Sequence, residues 1–256
     1  MMYNPRKRFG QHFLTTPEII EKIVATVAPM EGQTIVEIGP GQAAITEPLS
    51  YLATKLHAIE LDRCLAASLR NKFSGHKNVT IHESDALKFD FGLLGDDLRL
   101  VGNLPYNIST PLLFHLLLFR TCIADAHFML QKEVVDRICA EPGNKNYGRL
   151  TIMLGCQVQT IRLFDVPPES FRPRPKVMST VVKMCMLPEG TFDIWDNDVM
   201  ESIVKLAFSR RRKTLRNALR GMVTPPKIEA IGIDAGLRPE QVAIADWIAL
   251  ANSLSG

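Results

Sequence analysis

The residues best suited to chemistry stand at the ends of four successive apolar runs. Gly39-Pro40-Gly41-Gln42-Ala43-Ala44 follows Thr34–Ile38 directly and opens a predicted helix. Glycines there let the backbone approach a ligand closely, and a helix start offers unpaired N–H groups at the positive end of a dipole. Glu60 closes the next run, 19 residues after Gly41. A carboxylate at that place can accept both ribose hydroxyls of a nucleoside. The same spacing satisfies G-x-G-x-x-G/A and so also admits a dinucleotide enzyme. Asp85 ends the third run beside the same crevice, where it can accept the amino group of an adenine, although alone it reads as a turn or cap residue. Asn103-Leu104-Pro105-Tyr106 ends the fourth run. Asn103 offers a carbonyl acceptor, Pro105 fixes the turn and leaves the Leu104 carbonyl exposed, and Tyr106 supplies a flat face. That set suits an adenine N6 amine. Its lone pair is delocalised into the ring, and two acceptors on its hydrogens would localise that pair toward an incoming methyl group.

Other chemistries find less support. The five cysteines never come closer than 17 residues, and the six histidines form neither HxxxH nor HExxH. No metal and no disulfide is therefore expected. The chain of 256 residues carries a net charge of only +3, but that charge is unevenly spread. Residues 202–228 hold no acid and eight basic residues, among them Arg210, Arg211, Arg212, Lys213 and Arg216, so the rest of the chain sums to −5. A run of this kind is often a solvated helix face. Here no acid lies at i+4 to relieve the repulsion. The footprint suits a polyanion such as nucleic acid, and Arg6-Lys7-Arg8 adds a second patch.

The elements that must position these residues follow from the pattern. A helix is predicted from Pro17 to Pro29, burying Ile19, Ile20, Ile23, Val24 and Val27. Strands are predicted over Thr34–Ile38, Lys55–Glu60, Asn78–His82, Leu98–Gly102 and Ala126–Leu130. Helices over Ala44–Ala53, Asp62–Phe73, Thr110–Phe119 and Lys132–Ala140 alternate with them. This alternation implies a parallel, doubly wound sheet. A helix over Leu150–Gln159 and late strands over Arg162–Val166 and Ser179–Met186 come next, and beyond Asp196 the pattern is helical only. The expected division is 1–190 and 191–256. The longest apolar stretch, Pro111–Phe119, is broken by His115 and far shorter than the ~20 residues of a bilayer span. With no apolar signal core at the start, the expectation is a soluble cytoplasmic protein, monomeric and without a membrane partner.

Read together, Phe9-Gly10-Gln11-His12-Phe13-Leu14, Glu37-Ile38-Gly39-Pro40-Gly41, Ala58-Ile59-Glu60-Leu61-Asp62, Ser84-Asp85-Ala86-Leu87 and Asn103-Leu104-Pro105-Tyr106 resemble the ribosomal RNA adenine N6-dimethyltransferase family. Phe171-Arg172-Pro173-Arg174-Pro175-Lys176-Val177 and the stretch Phe208–Asn217 extend the match, and the helical tail is similar to the small-subunit branch. The resemblance implies an α/β, Rossmann-like class I methyltransferase with a seven-stranded, mostly parallel sheet and a small C-terminal α-helical domain. It implies S-adenosyl-L-methionine as cofactor, with His12 and Leu14 closing its site, Gly39 near its methionyl part, Glu60 on the ribose and Asp85 on the adenine. Asn103 would serve cofactor and target, with Leu104 as second acceptor. Tyr106 and Phe171 would sandwich a flipped adenine. The substrate implied is a pair of adjacent adenines near the 3′ end of 16S rRNA, in the small subunit or its precursor, contacted by the basic run. In two places the chain departs from the family pattern: His12 replaces an asparagine, and Ala43 stands where many methyltransferases have a third glycine. A nicotinamide dehydrogenase would share the first half but leave Asn103–Tyr106 unexplained. A non-catalytic RNA-binding factor would need only the basic patches.

Overall fold

A computed structural model describes residues 11–255, so Arg6-Lys7-Arg8, Phe9 and Gly10 lie outside the described residues. The chain divides into two compact units. One runs to Val135 and resumes over Ile161–Met186, and the other holds Asp136–Thr160 with the residues from Leu187 onward.

The first unit is built on β1 (Phe13–Leu14), α1 (Pro17–Val27), β2 (Thr34–Ile38), α2 (Thr46–Leu52), β3 (Lys55–Glu60), α3 (Arg63–Lys72), β4 (Val79–Glu83), β5 (Leu98–Asn103), α4 (Ser109–Leu117) and β6 (Ile123–Gln131). After α5 (Lys132–Ile138) and α6 (Arg149–Gly155), the chain adds β7 (Val158–Val166), β8 (Phe171–Arg172) and β9 (Ser179–Met186). Seven strands form one sheet in the order β4-β3-β2-β5-β6-β9-β7. The β2–β3, β2–β5, β3–β4 and β5–β6 pairs are parallel, and β9 runs antiparallel to β6. The two late strands thus complete the expected seven.

Local sequence explains the main joints. Pro17 sits in the first turn of α1, and Asp62 caps α3 by accepting from the Cys64 and Leu65 N–H groups. Strand order reverses between β2 and β5, so the carboxyl ends of those two strands open a crevice. Gly102 makes their close approach possible, since a Cβ there would lie 2.5 Å from the Ile38 carbonyl oxygen. The core of this unit packs Ile35, Leu49, Leu56, Val101 and Met129 together.

The second unit adds α7 (Asn197–Ser209), α8 (Leu215–Ala218), α9 (Pro225–Ala230) and α10 (Ile244–Asn252). The expected cut at residue 190 gave residues 136–160 to the first unit, whereas the structure gives them to the second. Ile152 and Cys156 are buried with Met200 and Trp247, and the Tyr147 hydroxyl donates to the Val242 carbonyl at 2.8 Å. The basic run also differs from expectation. Helix α7 stops at Ser209, so Arg210 to Lys213 form a turn instead of spreading around a helix.

Candidate active site

One cleft at the carboxyl ends of β2–β5 gathers eight of the expected residues: His12, Leu14, Gly39, Glu60, Asp85, Asn103, Leu104 and Tyr106. The glycine turn adopts left-handed backbone at Gly39 (φ 70°) and Gly41 (φ 58°), and at Ala43 (φ 71°) as well. Ala43 thus holds the conformation that favours glycine, which explains why a third glycine suits this place. The turn continues to Ile45 before α2 begins, so the helix starts two residues later than the Ala44 expected from the sequence. The Gly41 N–H donates to Glu60 Oε2 at 3.1 Å, and the Asp62 N–H donates to Glu60 Oε1 at 2.8 Å.

These bonds hold the Glu60 carboxyl rigidly at the end of β3. Its burial pushes the pKa up, while the two backbone donors pull it back toward the ionised form. Asp85 accepts from the Leu87 N–H at 3.0 Å through Oδ1, so it caps a turn and lines the cleft at once. Asn103, at the end of β5, donates from Nδ2 to the His12 carbonyl at 2.8 Å, which leaves its Oδ1 as the acceptor atom of the amide. The Leu104 N–H is tied to the Met129 carbonyl at 3.1 Å. The Tyr106 hydroxyl shares a 2.9 Å hydrogen bond with Ser179 Oγ on β9.

Phe171 is not brought to the cleft. It is fully buried, pairs with Leu14 between β1 and β8, and packs with Met129, Val166 and Val181. The expected stacking partner of Tyr106 is therefore a core side chain here. Two two-residue strands make this pairing, and runs that short carry no periodicity by which sequence could reveal them.

Glu37 stands within the motif that precedes the glycine turn, and the structure gives it weight. It lies in β2 just before the glycine turn, lines the cleft, and is 2% exposed with no hydrogen-bond partner on Oε2. Burial pushes its pKa up to about 8, with the neighbouring Thr46 hydroxyl opposing the rise and the Glu60 charge adding to it. An acid inside an apolar strand that leads into a glycine turn was the available signal. Three acids line the cleft, Glu37, Glu60 and Asp85, and among the described residues that line it there is neither lysine nor arginine.

In the second unit, Arg210, Arg211, Arg212 and Lys213 line a groove with Asn217 and Arg220. Arg216 is not part of that lining. Arg210 donates to the Ala218 carbonyl at 3.2 Å and Arg220 to Asn217 at 3.2 Å. Arg211 meets Glu240 at 3.5 Å, an acid that sequence spacing could not place beside it.

A doubly wound sheet with a glycine turn, a ribose-type carboxylate and an Asn-Leu-Pro-Tyr turn around one cleft defines a Rossmann-like nucleoside-cofactor enzyme of the methyltransferase class. The family model for ribosomal RNA adenine dimethylase matches residues 2–255. A protein of Aromatoleum aromaticum called ribosomal RNA small subunit methyltransferase A is 52% identical over 253 residues, covering 99% of this chain and 95% of that protein. A Thiobacillus denitrificans protein of the same name is 51% identical, covering 99% of each. Among solved structures, a dimethyladenosine transferase from Plasmodium falciparum superposes with TM-score 0.82 at 27% identity, covering 93% of this chain and 96% of that one. The 23S rRNA methyltransferase ErmE gives 0.75 at 26% identity, covering 95% and 100%. The chain belongs to the ribosomal RNA adenine dimethylase family and is an rRNA methyltransferase. Among the described residues no helix is long and apolar enough to cross a membrane.

Proposed function

We propose that the protein binds S-adenosyl-L-methionine in the cleft and dimethylates N6 of two adjacent adenines near the 3′ end of 16S rRNA, in the small subunit or its precursor. The observation that carries the cofactor reading is the charge of the cleft. Among the described residues the cleft is lined by the carboxylates of Glu60 and Asp85, by a neutral Glu37 and by no lysine or arginine, which suits a ligand of net positive charge with a sulfonium, an ammonium and one carboxylate but no phosphate. The two carboxylates oppose the pyrophosphate of a dinucleotide, and the Gly41 N–H, the natural phosphate donor of such a turn, is already given to Glu60.

The residues present fit this cofactor. Glu60 has further lone pairs for two ribose hydroxyls, Asp85 keeps an oxygen for an adenine amine, and Glu37 adds a buried, neutral carboxyl to the cleft lining. The cofactor supplies a methyl group activated on sulfur. The chain positions the acceptor: Asn103 Oδ1 and the Leu104 carbonyl take the N6 hydrogens, and Tyr106 supports the base. With those two acceptors on its hydrogens, the N6 lone pair would be localised toward the methyl group that the cofactor would supply. The proton leaves only afterwards, because the amine becomes acidic as it is alkylated. No histidine is needed as a base.

The basic turn supplies sequence-independent phosphate contacts. This reading places the enzyme in the cytoplasm as a monomer. The test is methyl incorporation into unmethylated small ribosomal subunits with the modified positions mapped. Four methyl groups on two neighbouring adenines near the 3′ end are expected, and incorporation elsewhere or none would refute the assignment.

A further inference from the structure

We infer that the His12 side chain is a gate on the target-base shelf, and that an incoming adenine must displace it. This rests on the proposed role of Tyr106 as that shelf. The imidazole of His12 stacks on the Tyr106 ring with centroids 5.6 Å apart and planes 29° from parallel. Its Nδ1 is held by the Pro173 carbonyl at 2.7 Å, and its own carbonyl receives the Asn103 amide at 2.8 Å. Three separate contacts thus seat this residue over the turn that holds the acceptor atoms.

The separation decides between two roles. A base sandwiched between two rings needs about 7 Å between them, two van der Waals gaps of about 3.5 Å each. At 5.6 Å there is room for one contact and none for an inserted ring. Tyr106 cannot readily turn away, since its hydroxyl is bonded to the buried Ser179. Phe171, the other aromatic expected at the shelf, is fully buried. The imidazole is therefore the ring that occupies the place, and it is also the ring that can leave. Its one side-chain hydrogen bond goes to a carbonyl in an exposed loop, whereas its main chain carries the bond that orients Asn103. Side chain and main chain divide the work: the ring closes the shelf to water, and the carbonyl keeps the Asn103 amide turned so that Oδ1 remains the acceptor when the ring swings out.

Two measurements test this. In histidine-labelled wild-type enzyme, the His12 ring protons should show an upfield ring-current shift that disappears in Tyr106→Leu; an unshifted signal in the wild type overturns the stack. In methylation of unmethylated small subunits, His12→Ala removes a competitor whose stacking is worth a roughly two- to tenfold change in occupancy. The KM for subunits should fall by that factor. His12→Phe keeps a ring on Tyr106 and should leave KM at or above the wild-type value, which also controls for misfolding of the alanine variant. An unchanged or raised KM in His12→Ala overturns the gate, a raised one by showing that the ring supports the base. The wild-type rate tests the underlying reading separately: no incorporation refutes the methylation assignment, whereas normal incorporation with an unmoved KM refutes the gate alone.

Discussion

Replacing Glu37 with glutamine keeps the shape of a buried side chain and removes its ionisation. In the folded wild type this carboxyl has its pKa pushed up to about 8, against an ordinary value of 4.5, chiefly by burial. Between those two values the folded chain retains a proton that the unfolded chain has released, so stability falls as pH rises through that window and is level above it. At about 1.4 kcal/mol per pH unit, the interval sets an upper bound of about 5 kcal/mol on the loss. Urea unfolding of wild type and Glu37→Gln at pH 5, 6, 7 and 8 isolates this contribution, because every other titrating group cancels in the difference. The variant should gain steadily on the wild type as pH rises, with most of the gain complete by pH 8. The same proton should appear in binding. A cationic ligand beside Glu37 favours the carboxylate, so calorimetry at pH 7 in two buffers of different ionisation enthalpy should detect proton release when wild type binds S-adenosylmethionine, and less from the variant. Parallel stability profiles for the two proteins between pH 5 and pH 8 would refute the claim that Glu37 is held neutral.

Other expectations are more direct. Asn103→Ala removes the acceptor Oδ1 and should lower kcat by ~10²–10³-fold, a loss like that of an oxyanion-hole donor, with the circular dichroism spectrum kept; turnover at the wild-type rate would end its role. Phe171→Ala should destabilise by ~3–5 kcal/mol as a core truncation, and where it stays folded its kcat should match the wild type; a specific methylation defect without a fall in melting temperature would return it to the shelf. Neutralising Arg212 and Lys213 should flatten the salt dependence of rRNA binding by about 0.7–0.9 per lost phosphate contact, and Arg211→Gln should do less because Glu240 already engages it; an unchanged slope in the double variant would make the turn a solvated surface. His127 is fully buried with Nδ1 3.9 Å from Asp125 Oδ1, and burial lowers its pKa to about 4 against the opposing Asp125 charge. The wild type should therefore lose up to about 3 kcal/mol as pH falls from 6.5 to 4, and His127→Leu should unfold less steeply over that range in acid titration.

The parts of the site that sequence revealed are those fixed by strand ends. Glu60, Asp85 and Asn103 each close an apolar run, and in a parallel sheet all such ends face one crevice, so three separate stretches converge without any knowledge of side-chain packing. What sequence could not reveal depends on partners far along the chain. The β1–β8 pair joins residues 13–14 to 171–172 through two register positions, and it decides that Phe171 is core. Arg211 finds its acid at Glu240, across a turn that carries no charge pattern. Residues 136–160 join the helical core through Tyr147 and Ile152, apolar positions that would serve as well against a sheet. Glu37 is a middle case: its position was legible, but its missing partner and its raised pKa follow from burial, which only the packed structure shows.

The two charge regions act on one substrate in opposite ways under the proposed reading. A net charge of +3 conceals, among the described residues, a cleft lined by the carboxylates of Glu60 and Asp85 beside a neutral Glu37 and a turn with four successive basic residues. The basic turn attracts the phosphate backbone wherever it runs, independent of sequence. The acidic cleft does the reverse, and a strand with its phosphates would be repelled from the acceptor atoms of Asn103. Only an uncharged base, extruded from its stack, can approach without that penalty, at an unstacking cost of a few kcal/mol. The repulsion therefore selects for a flipped nucleotide before any contact to the base edge is made. It also explains why the cofactor's positive charge matters to the target: once the cation is bound, the cleft is closer to neutral, so cofactor should precede RNA in productive binding. Subunit binding measured with and without sinefungin, a cationic cofactor analogue, should show higher affinity in its presence; equal affinity would mean that the acids of the cleft do not act on the RNA at all.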